Sequence, residues 1–269
     1  MSATASTQST APAVGGPSGS AGAPTALPGR PGVPFSRTLQ AEVRKMVDTR
    51  AGRWMVIVMA ALTVVILAAF VLWGPAEDAT FGNLLQISTL PLAILLPVVG
   101  IMAATAEWTQ RTGLVTFTLE PRRGRVVLAK ALGALALGLV VMAVAFAAAA
   151  LANLAGTGTW DLDAAAGGGL VLALLIYVLQ GVAFGLLFLN TPIAIVTVLV
   201  LPTAWSIVTQ VFSSLADVGQ WLDLDAVTRP LFDGEMAGQD WAQLGTGVGF
   251  WVLLPLAIGT WRVLNREVK

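Results

Sequence analysis

A chain of 269 residues in which 56% of side chains are apolar and only 11% are charged fits a polytopic membrane protein and is poorly suited to a soluble fold. Its formal charge is zero, yet the charge is segregated by loop. It has no cysteine and no histidine, which excludes disulfides, thiolate nucleophiles and Cys-ligated metals and removes the commonest metal ligand and general base.

In chain order, residues 1–34 are Ser, Thr, Ala, Gly and Pro with a single charge, Arg30, and are expected to form a disordered tail. The tail has neither the basic start nor the apolar core of a signal peptide. Over residues 35–53 the apolar residues Phe35, Leu39, Val43, Met46 and Val47 recur at helical spacing, with Arg37, Arg44, Lys45, Arg50 and Arg53 on the remaining faces. That pattern predicts an amphipathic helix lying in the membrane interface or docked on a partner protein.

The domain 54–269 carries the spans. A bilayer core about 30 Å thick takes roughly 20 helical residues to cross. Trp54–Trp73, Leu84–Ala106, Ala131–Ala152, Leu170–Leu189 and Pro192–Phe212 meet that length without a charge, and Gly245–Trp261 is a shorter sixth. No stretch alternates with a period of two, which argues against a β-barrel. The expected fold is an all-α membrane protein of six transmembrane helices.

Basic residues orient the bundle. With the amino terminus inside, the outside regions are 74–83, 153–169 and 213–244, and of the 15 Lys and Arg only Arg229 falls in them. Only Glu42, Asp48, Glu107, Glu120 and Glu267 of the 15 acidic residues lie inside. This asymmetry predicts both termini in the cytoplasm. Region 213–244 is apolar enough to rest on the bilayer as short helices.

Within the spans, Pro91, Pro97, Pro202 and Pro255 are expected to kink their helices. The spacings Gly181–Gly185 and Gly245–Gly249 allow close helix approach. Interior polar groups are neutral, so no residue is placed to bind and release a coupling proton at mid-membrane. Thr203, Ser206, Thr209 and Gln210 recur at helical spacing on span five, as a candidate substrate path or as helix–helix contacts. Neither HExxH nor GxxxxGK[ST] occurs, so the chain has no such zinc site and cannot cradle ATP phosphates by itself.

The inside region between spans two and three is the most informative. Glu107 and Arg111 are four apart, the spacing of a pair on one helix face. Gly113 marks a helix end or turn. Leu114, Val115, Phe117 and Leu119 then form an apolar stretch outside the bilayer, stopped by Pro121 and followed by Arg122, Arg123 and Arg125. A positive-inside anchor explains the arginines but not Phe117 and Leu119; an apolar cytoplasmic segment is better read as a docking surface.

Here the chain resembles the permease subunits of ABC-2 type ABC transporters, actinobacterial members in particular. The likeness rests on Glu107, Arg111, Gly113, Thr116, Thr118, Leu119, Pro121, Arg122, Arg123, Arg125 and Lys130, and extends more generically over about residues 35–269. The resemblance implies that helix 35–53 is the connecting helix before span one. It also implies that 107–121 is a coupling helix seated on a separate ABC ATPase subunit, two copies of which serve a homo- or heterodimer of permeases in a bacterial plasma membrane. ATP and Mg would be bound by that ATPase; this chain would hold no cofactor, metal or catalytic residue and bind lipid but no nucleic acid. The substrate would be apolar or amphiphilic, mostly exported. The alternative is an ATP-independent channel or facilitator. A membrane enzyme is disfavoured by the missing His and Cys.

Because the chain lacks cysteine, its topology can be read without background. Single cysteines at Thr159 and Gly238 should react with an impermeant thiol reagent in intact cells, and one at Thr118 should not. Labelling at Thr118 from outside would reverse the orientation.

Overall fold

The computed structural model describes residues 33–265, the side chain of Phe117 excepted. The expected tail 1–34, apart from its last two residues, lies outside the described residues. All regular structure in the described residues is helical, and six helices are long and apolar enough to cross a membrane. The chain is an all-α, multi-pass membrane protein.

The first two helices are α1 (Phe35–Asp48) and α2 (Arg50–Trp73). The sequence predicts one helix through Arg53; the structure breaks it at Thr49. Thr49 is extended, and its hydroxyl accepts from the Gly52 N–H at 3.1 Å, capping α2. The bend needs glycine at position 52, where a Cβ would overlap the Met46 carbonyl at the end of α1. The last basic residues of the expected amphipathic helix, Arg50 and Arg53, therefore belong to the first span.

Next come α3 (Phe81–Thr109), the short α4 (Gly113–Leu119), α5 (Arg123–Ala155), α6 (Ala164–Phe188) and α7 (Thr191–Val211). Span helices outrun their apolar stretches, because a helix stops where its caps are, not where hydrophobicity ends. Thus α3 carries Glu107, and α5 carries Arg123, Arg125 and Lys130. Thr80 and Asn190 cap α3 and α7 through their side chains. Pro91 and Pro97, expected to interrupt span two, sit inside one continuous helix. The bundle has two chemically distinct ends: a basic end with α1, α4 and the α6–α7 turn, and an acidic end with the α2–α3 and α5–α6 loops.

The central element is α6. Its faces are taken by α3, α5, α7 and the final helix. Close approach is made by small residues: a methyl on Gly181 would overlap the Pro97 carbonyl, and one on Gly100 the Val178 carbonyl. Gly185 meets Ala104 and Ile101 one turn further on. The Gly181–Gly185 spacing is thus used inside the chain, whereas Gly245 and Gly249 face open space.

After α7 the chain enters short helices, as expected. It forms α8 (Ala216–Leu222) and α9 (Leu224–Asp233), which fold back into the bundle. Gly219 packs on Thr209 of α7, and Tyr177 of α6 meets Thr228 at 3.0 Å through their hydroxyls. Near its other end α9 lies on Gly169, which Leu231 approaches so closely that a methyl would clash. The driving force is apolar: Leu224, Val227 and Leu231 form one buried stripe on α9. In this way α9 carries Asp225 and Arg229 to the level of Tyr177 on α6.

The sixth span is α10 (Gln239–Val248), a π-helical turn (Gly249–Leu253) and α11 (Leu254–Asn265). Pro255 explains the turn: it has no N–H for the carbonyl four residues back and its ring crowds that carbonyl, which the wider π turn relieves. Trp251, held in this turn, donates its indole N–H to the Leu222 carbonyl at 2.6 Å.

The two glycine pairs separate a packing role from a passive one. Gly181→Ala should lower the stability of the purified protein by about 1–3 kcal/mol through overpacking. Gly245→Ala should leave it unchanged or slightly raised. Equal thermal midpoints for the two variants would mean that the α3–α6 crossing is not as tight as described.

Candidate functional site

At the basic end three helices meet on four charges. Glu42 lies on the inward face of α1, one turn before Met46, and Met46 and Val43 pack against Gly133 of α5. Glu107 ends α3, and Lys130 lies in the second turn of α5. The Lys130 ammonium donates to Glu107 Oε1 at 2.6 Å, to Glu42 Oε2 at 2.8 Å and to the Ala103 carbonyl at 3.2 Å. Lys45 donates to Glu42 Oε1 at 2.6 Å and to Glu107 Oε1 at 3.1 Å. Glu42, Glu107 and Lys130 are each only 3% exposed.

Burying such groups costs several kcal/mol each, offset only when charges are paired and hydrogen bonds complete. Here two carboxylates face two ammonium groups, and all three Lys130 protons are used. Burial pulls the Lys45 ammonium down, but Glu42 and Glu107 outweigh it and hold it above the ordinary lysine value. The cluster is neutral as a whole and fixes α1, α3 and α5 against one another.

The expected Glu107–Arg111 pair does not form. Past Gln110 the helix ends in a left-handed turn at Arg111, whose φ is 56°, and the Thr112 N–H returns to the Glu107 carbonyl at 3.0 Å. This is a Schellman closure, with arginine at the position glycine usually takes. It swings Arg111 off the face of Glu107, so Lys130 and Lys45 take the carboxylate instead. Gly113, read from the sequence as a helix end or turn, begins α4 just past the turn.

On α4, Leu114, Val115 and Leu119 are 53%, 61% and 72% exposed. The side chain of Phe117, singled out in the sequence, lies outside the described residues. Past α4, Glu120 is buried and paired with Arg125 at 3.2 Å, and Pro121 and Arg122 are exposed. Arg123 donates to the Val263 carbonyl at 2.8 Å, tying the start of α5 to the end of α11. Arg125 also donates to the Val33 carbonyl and lies over the Phe35 ring, anchoring the start of α1. Two of the flanking arginines are therefore structural as well as basic.

Between α1, α3, α4 and the start of α7 lies a cavity of about 1000 Å³. Met55, Met102 and Ile195 supply apolar wall, while Thr38 and Lys45 stand on its α1 side. The hydroxyl of Thr191 on α7 bonds Thr105 and Thr109 of α3 at 2.7 and 3.0 Å.

The candidate path on span five is divided. Thr209 is buried against Gly219 and its hydroxyl bonds the Ser206 carbonyl; Thr203 and Gln210 are exposed, bonded to the Leu199 carbonyl and the Ser206 hydroxyl. Each polar group is thus satisfied within its own helix.

Sequence reasoning placed Glu107 and Lys130 in one motif but missed Glu42 and Lys45 as their partners. The signal was there: Glu42 is one turn before Met46 and so shares the apolar face of the basic helix. The chain matches no family model, and no curated protein is similar to it in sequence.

Lys130→Met should be far more harmful than its apolar size suggests, because it strands two buried carboxylates on one partly exposed lysine. A loss of about 3–5 kcal/mol is expected. Adding Glu107→Gln should recover a substantial part. Folding yield and thermal midpoint in detergent give the readout, and a single variant as stable as wild type would show that the cluster does not hold the three helices.

Proposed function

We propose that the chain is the permease subunit of an ATP-driven ABC exporter of the ABC-2 type, lying in a bacterial plasma membrane with both termini cytoplasmic. In this reading it has no catalytic role; a separate ABC ATPase, in two copies, binds ATP and Mg. A second permease chain completes the pathway, as a homo- or heterodimer. The substrate is apolar or amphiphilic.

The observation that supports this best is the ion cluster. A coupling device must carry a push from a small cytoplasmic helix into the spans. Here α4 follows directly from α3, and the end of α3 is bonded through Glu107 to both α1 and α5. A displacement of α4 or α1 is then shared among three helices rather than absorbed by a flexible loop. The exposed Leu114, Val115 and Leu119 give α4 an apolar face of the kind a partner groove buries.

In this reading the energy comes from the partner ATPase. Without a phosphate-binding loop the purified permease should show no ATPase activity. Substrate flux in proteoliposomes should need both the ATPase subunit and ATP, and should survive an uncoupler. Flux through the permease alone would instead favour the channel reading; loss of flux on adding uncoupler with ATP present would favour a proton-coupled carrier. Leu119→Asp should abolish binding of the ATPase subunit and flux while leaving permease abundance near normal. Unchanged assembly and coupling in that variant would remove α4 as the docking element.

A further inference from the structure

The charged face of α9 has no place against lipid. Tyr177, on which α9 docks, is about 20 Å along α6 from Ala164 and about 10 Å beyond Leu170, where the Leu- and Val-rich part of α6 begins. A second landmark agrees: Leu222, just before α9, is bonded to Trp251, about 18 Å along the sixth span from Gln239. With a hydrocarbon core about 30 Å thick, the first turn of α9 lies well inside it.

One side of α9 is buried through Leu224, Val227, Thr228 and Leu231. Asp223 is buried too, but its carboxylate caps the helix by accepting from the Asp225 and Ala226 N–H groups at 3.1 and 3.4 Å. The opposite side carries Asp225, Ala226 and Arg229, all exposed. Asp225 and Arg229 are one turn apart, and the only side-chain hydrogen bond described for either is a long one from the Tyr177 hydroxyl to Asp225, at 3.4 Å. Ionised side chains at this depth face protein or water, not acyl chains. Among the described residues none covers them.

We infer that the Asp225–Ala226–Arg229 face of α9 lines a water-filled vestibule, open at the acidic end and reaching about the middle of the membrane, where Tyr177 and Thr228 stand. It admits water and small hydrophilic solutes. It rests on the six-span fold and not on the partner ATPase, so the flux assays can fail without touching it. It also places the polar outer passage along α9, not along the Thr203–Gln210 stripe of α7, whose groups bond within their own helix.

The cysteine-free chain allows a direct test in the full-length protein in intact cells. Ala226→Cys and Arg229→Cys should react with an impermeant, hydrophilic methanethiosulfonate from the acidic side, at rates within about tenfold of Glu77→Cys in the exposed α2–α3 loop. Leu139→Cys, exposed at the middle of α5 among apolar residues, is the control for lipid-facing depth and should not react. Labelling at 226 and 229 without labelling at 139 supports the vestibule. Failure at both 226 and 229 while Glu77→Cys reacts means the face is sealed by lipid or another chain, and overturns it. A nitroxide on the same cysteines gives a second measure: at 226 collisions with a water-soluble nickel complex should exceed those with oxygen, and at 139 the reverse. Oxygen-dominated collisions at 226 would also overturn the inference.

Discussion

Two carboxylates and two ammonium groups close on one another where α1, α3 and α5 meet, and the geometry of the basic end depends on that closure. Three of the four, Glu42, Glu107 and Lys130, are buried charges whose burial is tolerable only because they are paired, and the more exposed Lys45 completes the balance. The consequence is positional. Lys130 spends its three protons on α1, on the last turn of α3 and on an α3 carbonyl, so the helices are held by direction as well as distance. Apolar packing alone tolerates sliding by fractions of a turn; a three-way hydrogen bond does not.

The rest of the bundle is organised by surfaces without side chains. Between helices in a membrane there is little hydrophobic gain, so close backbone approach and packing supply the attraction. Gly100, Gly181 and Gly185 let α3 and α6 touch backbone to backbone, and Gly169 does the same for α9 on α6. The helix that meets most neighbours is therefore the one with glycine on several faces. By contrast α2 and α7 are mostly open to their surroundings, only 17% of each apolar window being buried within the chain.

Much of this was legible in the sequence. Six charge-free stretches mark six spans, because the bilayer imposes one length and one polarity on every crossing. Less legible was anything decided by caps or by return contacts. The break at Thr49 comes from a hydroxyl cap and a glycine, features too short to disturb the amphipathic pattern of 35–53. Arg111 in a left-handed turn could not be expected from its residue type, and it undid the Glu107–Arg111 pair. The fold-back of 213–244 escaped because its apolar stripe, Leu224, Val227 and Leu231, fits a membrane surface as well as a protein groove. Period alone does not distinguish them; the acceptors, Gly169 against Leu231 and Gly247 of α10 against Val227, lie elsewhere in the chain.

These features link the two ends of the molecule. From the ion cluster, α3 runs through the Pro97–Ile101 contact to Gly181 and Gly185 of α6, and α6 runs on to Tyr177, where α9 begins. The joints along that line are the charge-assisted hydrogen bonds of the cluster and close contacts of glycine with backbone atoms or with the Ala104 methyl. Under the proposed reading, a push on α4 reaches Tyr177 with few soft joints between, so motion at the basic end is expressed at the floor of the acidic-end vestibule. A passive pore has no need of such a line. It would keep its mouth rigid, whereas here the residues at mid-membrane sit on a short helical hairpin whose own attachments, Gly219 on Thr209 and Trp251 on Leu222, reach the helices that a displaced α6 would carry with it.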